Sequence, residues 1–292
     1  MSDFKDRCNE LAHPDPANFG ISLFLLVGII VSYLPQHYKI ISRRSSHGIS
    51  SVFVLLGTVS GTAGIANILT LPISQEDMMC CKKISDFACG AALLGVFQVG
   101  VQWACFFLIL LLFLLFFPRS STDSPGVTGI SAWKEALGVL FISMVFFLTV
   151  FILSLFFTFG HRSALQSWAN FLGIAGASLA AIQYIPQIVT TLRLQNIYSL
   201  SIPMMLLQTP GSFIWSASLY ARLGKAGWST WGLYLVTGCL QGVLLCIAIA
   251  FWWRDRNDKK LTHAEHRDPA DDPEPIDEST PLDPEGTRSY SR

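Results

Sequence analysis

Hydrophobic and polar positions divide the chain into seven apolar runs separated by short polar segments. The runs extend from about Phe19 to Ile41, Ile49 to Leu71, Ala88 to Phe117, Trp133 to Phe159, Trp168 to Leu192, Ser199 to Tyr220 and Trp228 to Trp253. Each has about the 20 residues that cross a bilayer core. In lipid a spanning segment must close its backbone hydrogen bonds internally, so all seven are predicted to be helices. The third is longer than a span needs, and tilt or protrusion would absorb the excess. The polar remainder is an N-terminal segment over 1–18, a Ser/Thr/Pro/Gly linker over 118–132 and a tail over 254–292. The tail clusters Asp, Glu and Pro, a composition that cannot bury enough apolar surface to fold, and is predicted to be disordered.

Two of the runs carry the same phrase. Tyr33-Leu34-Pro35-Gln36 lies near the end of the first, and Tyr184-Ile185-Pro186-Gln187 near the end of the fifth. At this offset of 151, Ser50 also meets Ser201, Leu55 meets Leu206 and Thr58 meets Thr209, without a gap. Gly95-Val96-Phe97-Gln98 in the third run matches Gly238-Cys239-Leu240-Gln241 in the seventh at a shorter offset of 143. A duplication at this scale sets the architecture. The repeating unit is three helices, and the fourth run is a connector. The predicted fold is an all-α membrane protein with seven transmembrane helices in a 3+1+3 layout. Two parallel three-helix bundles, over 19–117 and 166–253, are joined by a linker helix over 133–159. Parallel repeats about an axis along the membrane normal are one of the known transporter designs.

The paired Pro-Gln phrases at matching helix positions, with a Ser-rich loop after the first, resemble the PQ-loop family. That family includes cystinosin, the lysosomal and vacuolar cationic amino-acid transporters and, more distantly, the SWEET sugar transporters. The resemblance covers roughly Phe19 to Phe117 and Trp168 to Trp253. It implies that Pro35, Gln36, Pro186 and Gln187 act as hinges for alternating access. The residues allow this independently, because proline lacks an N–H and clashes with the carbonyl four residues back. Carbonyls at Val31 and Ile182 would be loosened, within reach of the Gln36 and Gln187 amides. A static kink that only shapes the bundle is the other reading.

Composition narrows the class. The chain is 51% hydrophobic and 14% charged, with mean hydropathy +0.47, against about 25% charged in soluble domains. A net charge of +0 gives no sign of a nucleic-acid partner. The segment 1–18 has the wrong pattern for a cleaved signal, so the first run is expected to be the insertion signal. Lys39, Arg43 and Arg44 follow the first run with no nearby acid, whereas Lys82 and Lys83 share their loop with Glu76, Asp77 and Asp86. Basic loops stay cytosolic, which places the N-terminus in the lumen and the C-terminus in the cytosol. Cys89, Cys105, Cys239 and Cys246 lie in apolar runs, where a buried free thiol is the ordinary reading. Cys8 could pair with Cys80 or Cys81, although two loop cysteines without a role fit the spacing too. No spacing fits a metal site, and no cofactor motif is present.

Polar side chains inside the spans are the candidate chemistry, because a lone amide in lipid lacks partners. Asn67, Gln98, Gln102, Gln183, Gln208 and Gln241 are amides of this kind, and Tyr33, Tyr184 and Trp215 could flank a cavity with them. Read functionally, they line a path for a small solute; read as structure, they are interhelical glue and aromatic packing. The pairs Gly57/Gly61 and Gly238/Gly242 permit close backbone approach, inside a bundle or between protomers of a homo-oligomer. His37 and His47 near the cytosolic boundary read as solvated. No Asp or Glu lies within any run; Asp86 and Glu135 stand only at their ends. The cationic branch of the resembling family carries an acid three residues before an Asn, where this chain has Gly64 before Asn67, and an acid in the loop where it has His47. The architecture therefore carries over, but the cationic substrate and proton coupling do not.

No nucleophile–base pair or metal constellation supports an enzyme. The expected function is transport of a neutral or zwitterionic solute, such as an amino acid, across a vacuolar, lysosomal or other endomembrane. A lipid-handling or trafficking role within the same family, scramblase-like, is the alternative, and a seven-span receptor ranks last.

Overall fold

In the computed structural model every described segment of regular structure is helical. Residues 2–46, 49–117, 129–194 and 202–265 are described. The helices are α1 (Ser2–Ala12), α2 (Pro16–Arg43), α3 (Ser51–Thr70), α4 (Pro72–Cys80), α5 (Asp86–Ala92), α6 (Leu94–Leu115), α7 (Gly129–Phe159), α8 (Leu165–Leu194), α9 (Ile202–Leu223) and α10 (Trp228–Glu265).

Local signals set the boundaries. The Asp15 side chain accepts from the Asn18 N–H at 3.1 Å, and Pro16 occupies the first turn of α2, where its missing N–H does no harm. Ser50 caps α3 through the Phe53 N–H. Extended Leu71 separates α3 from α4, which starts on Pro72. Ser85 caps α5.

Six helices are long and apolar enough to cross a membrane among the described residues: α2, α3, α6, α7, α8 and α10. The expected sixth span is present as helix α9 but is not one of the six. Gln208, Thr209, Pro210, Ser212, Ser216 and Ser218 make it too polar. The long third run is not one tilted span: the chain breaks at Leu93 between α5 and α6, so its excess forms a separate short helix. The first tail residues are helical, since α10 continues from Trp253 to Glu265; the rest of the tail, from 266, and the linker residues 118–128 lie outside the described residues. The segment 1–18 is largely helix α1.

Residues 1–249 form one unit, and residues from Ala250 a second. Within the first, the central core gathers Leu25, Ile68, Leu71, Val99, Trp215, Leu219 and Leu233 from α2, α3, α6, α9 and α10. Helix α3 lies against α8, and α8 in turn approaches the start of α10 closely. A Cβ on Gly173 would stand 2.4 Å from the Ser229 carbonyl oxygen and 2.6 Å from its Cβ. Gly57 allows the Phe106 ring of α6 to sit where a side chain would be, since a Cβ at Gly57 would stand only 2.1 Å from the ring. Gly57 and Gly238 therefore serve packing within the chain.

Gly173→Ala should lower thermal stability by about 1–3 kcal/mol, because the obstruction is backbone and cannot rotate away. Gly28→Ala, whose Cβ would meet nothing within 4 Å, should be neutral or stabilising in the same helical context. Unfolding midpoints of the two purified variants in one detergent check the contrast.

Candidate functional site

The tyrosines of the two repeated phrases lie in one region of the bundle. Tyr33 on α2 is within electrostatic range of Tyr184 on α8, with Gln102 of α6 beside it. Tyr234 of α10 also interacts with Tyr33. Trp215 of α9 stacks on Tyr234, ring centroids 4.1 Å apart. Five residues from α2, α6, α8, α9 and α10 thus make one aromatic, uncharged cluster across the two halves of the chain. Trp215 is 6% exposed, and its Nε1–H has no partner among the described residues. Such a buried donor is available to a ligand acceptor. The Trp215 position is equivalent in the repeat to Gly64. A Cβ there would lie 3.2 Å from Leu233 and 3.8 Å from the Tyr234 hydroxyl. The empty side chain at Gly64 and the large one at Trp215 thus face the same stretch of α10.

The amides divide differently. Asn67 is fully buried and binds across the halves. Its Nδ2 donates to the Ala169 carbonyl at 2.6 Å and to Ser229 Oγ at 3.0 Å, while Thr230 donates to its Oδ1. Nearby, Ser60 donates to the Gly176 carbonyl at 2.9 Å. Gln98, read from sequence either as path lining or as interhelical glue, donates to the Ser22 carbonyl at 2.8 Å, tying α6 to α2. Its repeat partner Gln241 donates to Gln208 at 2.8 Å, tying α10 to α9. These three glutamines join helices within a half and are not part of the tyrosine cluster. Gln183 reaches the Phe53 carbonyl at 3.3 Å.

Pro35 stands on the exposed face of α2, which continues through it, and Gln36 is half-buried. The backbone at Pro186 and Gln187 is helical, but their side chains lie outside the described residues, as does His47. His37 is not solvated: it is buried and donates from Nε2 to the Cys105 carbonyl at 3.0 Å. Sequence reasoning overlooked Pro210 inside α9.

A second constellation closes the face where α2 and α6 begin and α3 and α9 end. Cys8 is bonded to Cys80, and Cys81 to Cys89, so Cys89 is not a free thiol. Arg7 grips Asp77 with two bonds, 2.9 Å from Nε to Oδ1 and 3.1 Å to Oδ2, and donates to the Arg222 carbonyl at 3.1 Å. Burial pushes the Asp77 carboxyl above the ordinary carboxylate range, and the Arg7 guanidinium pulls it part of the way back. Arg222 in turn donates to the Ala91 carbonyl and to Ser22 Oγ, each at 2.7 Å. Ser22 also meets Ser218 at 3.3 Å. The sequence signal for this cap was weak, because Asp77 and Arg222 look like ordinary loop charges in one dimension.

Comparison with known proteins gives two findings. The family model described as the PQ loop repeat matches twice, over residues 17–76 and 168–225. An uncharacterized protein of Schizosaccharomyces pombe, C4C5.03, is 34% identical, over 84% of this chain and 83% of its own length.

Asn67→Ala should destabilise the fold by about 1–3 kcal/mol, since Ser229, Thr230 and the Ala169 carbonyl lose a buried partner. Gln183→Ala, at an exposed bond, should change little. Denaturation midpoints in detergent measure both.

Proposed function

Because the chain belongs to the PQ-loop repeat family, we propose that it is a carrier of a small neutral or zwitterionic solute, working by alternating access across an endomembrane. The proposed arrangement is 3+1+3: α2, α3 and α6 against α8, α9 and α10, with α7 as connector. The observation that carries this reading is that Tyr33 and Tyr184, equivalent residues of the two repeats, lie within electrostatic range of one another, in a region that also holds Tyr234 and the unpartnered Trp215 indole stacked on it. The cluster offers hydrogen bonds and aromatic faces without formal charge, which suits a solute with no net charge. The Arg222 ties join the halves on the α1 face, whereas the tie at the start of α3 is the single longer, exposed bond from Gln183 to the Phe53 carbonyl among the described contacts. This difference favours the state closed on the α1 side. Disulfides persist in oxidising compartments, so Cys8–Cys80 and Cys81–Cys89 support a lumenal position for that face, in agreement with the basic first loop. Lysosome or vacuole is the proposed address.

Uptake into proteoliposomes, screened over neutral amino acids and sugars with a fluorescent-lipid scrambling assay alongside, tests the function. Solute flux that is lost in Trp215→Ala is expected, and lipid movement without solute flux would replace the reading with a lipid-handling one. Flux should depend weakly on a pH gradient, since no carboxylate lies in the tyrosine cluster; collapse on dissipating the gradient at fixed pH would contradict this. Pro35→Ala and Pro186→Ala restore a helical N–H and favour helix. Both should fold yet carry less solute per folded molecule, because a cycle needs both states. Full activity per folded molecule in both would leave the prolines as architecture only.

A further inference from the structure

We propose that Arg222 and Ser74 form a carboxylate-binding subsite at the mouth on the α1 face, where the anionic group of a solute is received before it reaches the tyrosine cluster. The inference rests on the carrier reading and names the group that the solute must bear.

Arg222 sits where the two halves meet, and its two terminal nitrogens are committed to neutral acceptors, the Ala91 carbonyl and Ser22 Oγ. Its Nε–H is buried and has no partner among the described residues. Ser74 is 2% exposed, and its hydroxyl is likewise unpartnered. Both residues line one small cavity, closed by Ile68, Leu219 and Val96 and bounded by Asp77. Two buried donors with nothing to give to are rare in a native interior and call for an acceptor.

The charges around the cavity favour an anion. Asp77 is the acid lining it, and both of its oxygens are held by Arg7. Glu10 meets Arg7 only at the exposed rim, at 3.3 Å. Of the two charged residues that line the cavity, Asp77 is neutralised by Arg7, which leaves Arg222 as the charge with a free donor. An ammonium group would meet the Arg222 guanidinium, whereas a carboxylate oxygen accepts from Nε–H and from the Ser74 hydroxyl. As closed here, the cavity has room for about one water molecule. A carboxylate oxygen is received by the two donors when the α1 cap moves. A cation is turned away at the same point, so Arg222 sets specificity at entry.

The test is thermal unfolding of the full-length protein in detergent, titrated with sodium acetate, with sodium chloride and with methylammonium chloride at matched ionic strength. Acetate should raise the midpoint saturably, and chloride and methylammonium should not. Ser74→Ala touches none of the Arg222 ties and should raise the half-saturating acetate concentration several-fold; Arg222→Gln should abolish the shift. Acetate acting no better than chloride, or an unchanged half-saturation in a folded Ser74→Ala, would overturn the subsite. Binding is read here without flux. Acetate binding in a protein that carries no solute leaves the subsite standing and removes the carrier reading, while flux without acetate binding does the reverse.

Discussion

The side-chain amide of Asn67 has to be satisfied inside an apolar interior, and that constraint holds the two halves of the chain together. A buried amide left alone is far more damaging than its net contribution when paired. Here its donors and acceptor are taken by Ala169 of α8 and by Ser229 and Thr230 of α10. With α3 pinned in this way, α8 must approach it closely enough for Ser60 to reach the Gly176 carbonyl. Gly173 is then required, because α8 also runs against the Ser229 backbone. The tyrosine cluster follows from the same docking, since α2 and α8 bring Tyr33 and Tyr184 to a common centre only when α3 and α8 are fixed.

The chain treats its two faces unequally. On the α1 face, two disulfides and the Arg7–Asp77 pair bind segments of the first half, and the Arg222 ties join that half to α9. On the other face, the described polar contacts of α2 stay within its own half, as in His37 with the Cys105 carbonyl; Ser46, just beyond α2, likewise bonds the Phe116 carbonyl. A carrier that is closed on one side has this asymmetry. The cap is also built from ties of different durability. The disulfides hold α1 to α4 and the end of α4 to α5, but the links between halves are hydrogen bonds that can be exchanged. In the proposed carrier cycle the covalent bonds would keep the cap intact while the mouth beneath it opens.

Much of the fold was legible because lipid imposes length and closure on every span. The duplicated Tyr-x-Pro-Gln phrase singled out Tyr33 and Tyr184, Gln102 was named by the rule that polar groups in apolar runs need a reason, and Trp215 as an aromatic beside them. Gln98 and Gln241 are equivalent in sequence and each joins two helices of its own half, the structural one of the two readings, yet their partners, a Ser22 carbonyl and a Gln208 side chain, lie on helices that do not correspond in the repeat. Tyr234 has no counterpart in the phrase and was missed. Asp77, Arg222 and Cys89 look ordinary in their local surroundings, although what defines each is a partner elsewhere in the chain. The break at Leu93 left no proline or glycine signal at that residue and was absorbed into one long run.

The central claim is that the α1 face is a closed mouth that opens during a cycle. Spin labels at Phe87 on α5 and Tyr220 on α9, both exposed, bracket the Arg222 tie to Ala91. Pulsed dipolar distance measurement between them, in protein reconstituted in lipid with the free cysteines replaced, reads the opening directly. The account predicts one dominant short distance, with a longer population that grows when Arg222 is changed to Gln or when transported solute is added. A single distance that neither change shifts, in protein shown to be folded, would contradict it.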